Sequence, residues 1–160
     1  MRRMNESRMF GACTVFEGKI VISGGIVNNG YESLKSVEAY DHVADEWSRL
    51  PSMIEARFFH SSVAVRNKLF VIGGFDSKRC EVYDSGSNRF TALNATPKFA
   101  NTHVKSVLIG GKIIVFSEGA ETISCYDTEK DEWTEKHFAL ILFYIRLYCI
   151  SYIINWFDSL

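Results

Sequence analysis

Short apolar runs, separated by polar or glycine-containing turns, succeed one another along this chain. Ala12-Cys13-Thr14-Val15-Phe16 is followed by Glu17-Gly18-Lys19 and then Ile20-Val21-Ile22. Ser62-Val63-Ala64-Val65 leads through Arg66-Asn67-Lys68 into Leu69-Phe70-Val71-Ile72, and Val107-Leu108-Ile109 through Gly110-Gly111-Lys112 into Ile113-Ile114-Val115-Phe116. Runs of this length, rich in β-branched and aromatic residues and joined by tight turns, predict pairs of strands. A third strand with period two follows in the first two units. Val37 and Ala39 share one face against Glu38 and Tyr40, as do Cys80 and Val82 against Glu81 and Tyr83.

The pattern repeats. Ala39-Tyr40-Asp41, Val82-Tyr83-Asp84 and Cys125-Tyr126-Asp127 lie 43 residues apart, and six residues after each Asp stands Trp47, Phe90 or Trp133. Gly24-Gly25 and Gly73-Gly74 follow the second strand, where glycine permits positive φ and close approach of a neighbouring chain. Ser117-Glu118-Gly119 takes their place in the third unit. A unit of about 40 to 50 residues with a double glycine and a late aromatic predicts a four-stranded propeller blade. The expected fold is all-β, a partial propeller of three four-stranded antiparallel blades over about 8–54, 55–97 and 98–137. Residues 1–7 form an N-terminal segment, and 138–160 an apolar tail without repeat markers.

Within each unit the markers have structural roles. Asp41, Asp84 and Asp127 are placed to accept backbone amides just downstream and close the turn into the fourth strand. The dyads Asp45-Glu46 and Asp131-Glu132 do not read as paired acids, because adjacent strand residues point to opposite faces. Trp47, Phe90 and Trp133 are expected to pack between blades, each ring contributing roughly 2 to 3 kcal/mol. The tyrosine hydroxyls need a partner, which the backbone of a neighbouring blade is expected to supply.

Composition narrows the function. With 47% apolar and 23% charged residues the chain can bury a core, and its net charge of -1 gives no field to gather nucleic acid or an anionic membrane. Cys13, Cys80, Cys125 and Cys149 form no CxxC pair, so neither a metal nor a cofactor is predicted. Cys80 and Cys125 replace small apolar residues of the other units and are read as core-filling. Residues 1–7 lead into no apolar run of signal-peptide kind, which predicts a reducing, cytoplasmic setting.

The tail is almost continuously apolar from Phe138 to Ile154, interrupted by Arg146. A membrane span needs about 20 apolar residues, and an arginine near its centre costs about 2.5 to 3.5 kcal/mol. Three readings stay open: an aberrant C-terminus replacing the next blade, a membrane anchor, and a segment that caps the last blade. The anchor is the weaker reading beside the aberrant terminus.

Residues 8–136 resemble kelch repeats, in which a strand pair ends in Gly-Gly and is followed by Tyr-Asp and a Trp six residues later. The stretches Val37-Glu38-Ala39-Tyr40-Asp41 and Cys80-Glu81-Val82-Tyr83-Asp84 are most similar to kelch-like proteins that carry BTB and BACK domains ahead of the propeller. The resemblance implies a ring that usually closes with six blades, so three blades imply a fragment or a truncated product. It also implies a non-catalytic protein-binding module, part of a substrate receptor for a cullin-3 ubiquitin ligase. Cullin-3 would be reached only through a BTB domain not found in this chain. An actin-binding, cytoskeletal role is the alternative, and a sugar-active enzyme a remote one.

In such a ring, partners meet the loops between strands two and three and the connections between blades, which emerge at one end. The first loop contains Asn28, Asn29 and Gly30, a tight-turn sequence that would present Tyr31, and the second contains Asp76, Lys78 and Arg79. The connection Glu55-Ala56-Arg57-Phe58-Phe59-His60 adds Phe58 and Phe59 as aromatic anchors. Arg57 recurs as Arg8 and has two readings: a fork onto a partner carboxylate, or a tie between loop carbonyls. No catalytic residue is predicted. His42, His60, His103 and His137 occupy unrelated positions, and neither a phosphate loop nor a Gly-x-Ser-x-Gly elbow occurs.

Overall fold

The computed structural model describes residues 2–27, 32–77, 79–93, 103–118 and 122–137. The first sheet is built from β1 (Ala12–Phe16), β2 (Lys19–Ser23), β3 (Val37–Asp41) and β4 (Glu46–Leu50). The second comprises β5 (Ser61–Val65), β6 (Lys68–Ile72), β7 (Glu81–Asp84) and β8 (Arg89–Ala92). The third contains β9 (Val104–Ile109), β10 (Lys112–Ser117), β11 (Thr122–Asp127) and β12 (Glu132–His137). Each is a four-stranded antiparallel meander in which sequence neighbours pair. Among the described residues the architecture is all-β, three such sheets of a partial propeller, as the strand pattern predicts.

Alternation decides which face meets which neighbour. On the first sheet Phe16, Val21, Val37 and Ala39 pack against Leu69, Val71, Tyr83 and Phe90 of the second. The opposite face of the second sheet, with Val63, Phe70, Ile72, Cys80 and Val82, packs against Val104, Ile113, Val115 and Tyr126 of the third. Strand β6 is buried on both faces, with Leu69, Val71 and Ile72 at 0% exposure, which explains why its sequence runs apolar without alternation. Cys80 is a buried free thiol within the face between the second and third sheets, Cys125 a buried one on the other side of the third sheet, and Cys13 an exposed one.

The Asp of each unit closes its turn. Asp41 Oδ1 accepts the amides of Val43 and Ala44 at 3.0 and 3.1 Å, Asp84 Oδ1 that of Ser87 at 2.8 Å, and Asp127 Oδ1 those of Glu129 and Lys130 at 3.1 and 3.2 Å. These amides hold all three carboxyls below the ordinary aspartate range. Asp127→Ala should lower stability, read as a lower urea midpoint with unchanged slope. An unshifted midpoint would mean that the turn closes without its side chain.

The tyrosines depart from expectation. Their hydroxyls do not reach a neighbouring blade; Tyr40 donates to Asp45 at 2.6 Å and Tyr83 to Asn88 at 2.9 Å, while Tyr126 donates to Asp131. The acceptor stands five residues downstream in the same turn, at a non-glycine residue of positive φ: 52° at Asp45, 51° at Asn88 and 55° at Asp131. Asp and Asn tolerate that conformation better than most residues, so one side chain both ends the turn and receives the hydroxyl. The late aromatics then stack on the same tyrosines, with centroids 5.1 Å apart for Tyr40 and Trp47, 5.2 Å for Tyr83 and Phe90, and 4.9 Å for Tyr126 and Trp133.

Candidate functional site

The ends of β2 and β6 and the starts of β1, β5 and β9 lie at one end of the three sheets, where the interstrand loops and blade connections meet. Beneath them lie two buried ion pairs. Arg57 Nη1 donates to the carbonyls of Gly73 at 3.0 Å and Arg79 at 2.7 Å, and its Nη2 to Glu81, with both side chains at 0% exposure. Glu81 also accepts the amides of Ile54 at 2.6 Å and Glu55 at 3.0 Å. In the first sheet Arg8 Nη1 donates to Gly24 O at 2.8 Å and Ser36 O at 3.1 Å, and Nη2 to Glu38 at 2.6 Å. There Asn5 and Glu6 supply the two amides. Burial pushes the Glu38 carboxyl up, but Arg8 and Asn5 outweigh it and hold the group below the ordinary range.

Arg57 is thus corrected as a partner contact. Its guanidinium is enclosed by its own loops, in the arrangement of a tie between carbonyls. A second adjustment concerns the N-terminal segment: Asn5 and Glu6, set apart from the repeats on sequence grounds, do in the first sheet what Ile54 and Glu55 do in the second.

Between the two arginines sits His60, 4% exposed, with Nε2 2.8 Å from Ser23 Oγ and Nδ1 without a hydrogen-bond partner. Burial, then the charges of Arg57 and Arg8, push its pKa from 6.5 down to about 3. Because the unfolded imidazole binds a proton more readily than the folded one, stability held above pH 6.5 is lost as pH falls. Between pH 6.5 and pH 5 the loss should be about 2 kcal/mol. Urea midpoints across that range test this, and a His60→Gln chain with the same slope would clear His60 of responsibility.

Above this frame lies a row of rings. Phe10 and Phe59 occupy equivalent places, two residues after Arg8 and Arg57, and both hold positive φ, at 60° and 54°. Positive φ is costly for a bulky side chain, of order 1 to 3 kcal/mol, and is found where the surroundings impose it. Here the surroundings include blade-to-blade backbone bonds: Phe59 N–H donates to Phe10 O at 2.9 Å, and Val104 N–H to Phe59 O at 3.2 Å. The side chains follow the same line. Phe10 and Phe59 centroids are 4.4 Å apart, Phe59 and His103 4.0 Å, while Phe75 stacks on Phe58 at 5.3 Å. Phe10 remains 48% and Met9 41% exposed.

Polar groups rim the rings. His103 Nδ1 lies 2.6 Å from Glu118 Oε2, and Arg79 Nε 3.8 Å from Glu55 Oε1, with 60% of the Arg79 side chain exposed. Exposed Asp76 accepts the Ser33 hydroxyl. Among the described residues no group of His, Cys, Asp and Glu is arranged to hold a metal.

Of the sequence-derived site residues, Phe58, Phe59, Asp76 and Arg79 come together at this end. Asn28, Asn29, Tyr31 and Lys78 lie outside the described residues. Sequence reasoning placed Phe75 and His103 in loops of this face without assigning them a role, and missed Met9, Phe10 and Glu118 as neighbours. The alignment of Arg8 with Arg57 carried the signal, since it also places Met9-Phe10 on Phe58-Phe59.

The Kelch motif profile matches residues 7–54 and 56–95. Kelch-like protein 35 of Mus musculus is 26% identical over 134 residues, spanning 78% of this chain and 22% of its own length. Kelch-like protein 7 of Rattus norvegicus is 32% identical over 109 residues, 62% of this chain and 18% of its own. Kelch repeat-containing protein kel-10 of Caenorhabditis elegans is 34% identical over 98 residues, 59% and 17% respectively. The chain therefore spans about a fifth of the length of these relatives.

Proposed function

This chain belongs to the kelch-repeat family, a protein-interaction fold, and we propose that its ring-lined loop end holds a protein partner for a cullin-3 ubiquitin ligase, as the recognition part of a kelch-like adaptor. The observation that carries the reading is the aromatic row from Phe10 through Phe59 to His103, partly exposed, strained into place and rimmed by charge. Exposed apolar rings within a polar rim are the ordinary make-up of a protein interface. Asn28, Asn29, Tyr31 and Lys78, outside the described residues, are assigned to the same partner surface in this reading.

Phe10→Ser and Arg79→Glu touch exposed side chains and leave the buried Arg57–Glu81 pair intact. Each should weaken partner binding about tenfold or more while leaving the thermal midpoint nearly unchanged. Co-precipitation of the full-length product with cullin-3, run beside co-sedimentation with actin filaments, tests the assignment. Cullin-3 association that persists while substrate capture is lost in the two variants is the expected result. Binding to filaments alone would replace the adaptor by a cytoskeletal role.

A further inference from the structure

The two arginines at the loop end are engaged by buried partners, so among the described residues the charge left beside the rings is of one sign. Arg8 and Arg57 are neutralised by Glu38 and Glu81 below the surface. Arg79, on the rim, lies 3.8 Å from Glu55, whose other oxygen accepts the Ser77 hydroxyl at 2.8 Å. Two carboxylates remain. Asp76 is exposed and accepts the Ser33 hydroxyl, and the Glu118 side chain, 71% exposed, lies against the His103 ring. Among the described residues no lysine or arginine pairs with either of them.

Both carboxylates border the same group of half-buried rings. Asp76 follows Phe75, whose ring meets His103 edge-on at 5.2 Å and Phe59 at 6.1 Å. Glu118 reaches the group through His103, which lies 4.0 Å from Phe59. The face of an aromatic ring attracts a cation, and a guanidinium adds a planar fork that matches a carboxylate. Exposed Met9 and Phe10 continue the surface with apolar area and no charge. Resting on the reading of this end as a protein-binding face, we infer that its occupant is a protein segment bearing an arginine next to an apolar side chain. The guanidinium lies over the Phe59, Phe75 and His103 rings between Asp76 and Glu118, and the apolar neighbour covers Phe10. An acidic segment, which an exposed Arg57 would have favoured, meets carboxylates of its own sign and is repelled.

The probe is a display library of random short peptides, selected on the intact chain and counter-selected on the Phe10→Ser chain. Sequences that depend on Phe10 should be enriched in arginine beside a large apolar residue. Replacing that arginine by citrulline, which keeps its shape without its charge, should weaken binding about tenfold. In the chain carrying both Asp76→Asn and Glu118→Gln, two changes at exposed positions, the same replacement should matter less than about twofold. Phe10-dependent peptides that lack arginine, or a citrulline loss equal in the two chains, would overturn this inference and leave the protein-binding face standing. Absence of any Phe10-dependent peptide would overturn that reading, and this inference with it.

Discussion

Glu81→Ala should lower the stability of the chain by about 3 to 5 kcal/mol, a large fraction of an ordinary domain's total. The change strips a fully enclosed guanidinium of its counter-charge and leaves the amides of Ile54 and Glu55 without their acceptor. Breaking a buried pair by removing one partner leaves an uncompensated charge in a medium that solvates it poorly, whereas removing both is far milder. The double change Arg57→Met with Glu81→Leu should therefore recover much of the loss. By contrast, Glu129→Ala should move stability by less than about 0.5 kcal/mol, because its pair with Arg66 is 74% and 80% exposed. Denaturant unfolding of these variants beside the unaltered chain tests this, and a double variant as unstable as Glu81→Ala would show that packing, not charge, dominates. The third unit is consistent with this logic. Ser124 stands where Glu38 and Glu81 stand, and Ala100, outside the described residues, stands 43 positions after Arg57, so both charges are exchanged together.

The second large effect is expected at Gly24, where alanine should cost about 2 to 4 kcal/mol. Gly24 has φ +56°, and a Cβ there would lie 2.4 Å from the Arg57 carbonyl oxygen and 2.7 Å from the His60 ring. Gly18 is the control. Its φ is +74°, but nothing lies within 4 Å of an added Cβ, so Gly18→Ala should cost only about 1 kcal/mol for its backbone conformation. The difference isolates the close approach of the blade connection from the price of positive φ. Comparable losses at the two sites would mean that the connection yields easily and that the double glycine serves φ alone.

Strand pairs, the 43-residue interval and the turn aspartates were legible because each depends on neighbours close in sequence. A pleated strand alternates, a turn needs its acceptor two or three residues away, and repetition multiplies a weak signal. Legibility stopped at the tyrosine hydroxyl. Its acceptor at Asp45, Asn88 or Asp131 becomes reachable only because that residue adopts positive φ, a local geometry that residue type suggests but does not impose.

The candidate site shows the same division more sharply. Arg57 in sequence is equally a binding residue and a structural one, since a guanidinium offers the same five donors to a partner or to its own loops. Burial alone discriminates, and burial comes from Glu81, Gly73 and the Arg79 carbonyl, which lie 16 to 24 positions away. Likewise Phe10 and Phe59 are merely two aromatic residues until the sheets stand side by side and set their rings 4.4 Å apart.

Periodicity and turn chemistry, which are written into short stretches, determined from sequence alone that this chain forms successive four-stranded sheets of kelch type. Which arginine is sealed, which rings face outward and which apolar faces pack together were decided only in the assembled molecule. The physical reason is that exposure and ion pairing are properties of the space between blades, and that space exists only once distant segments have packed.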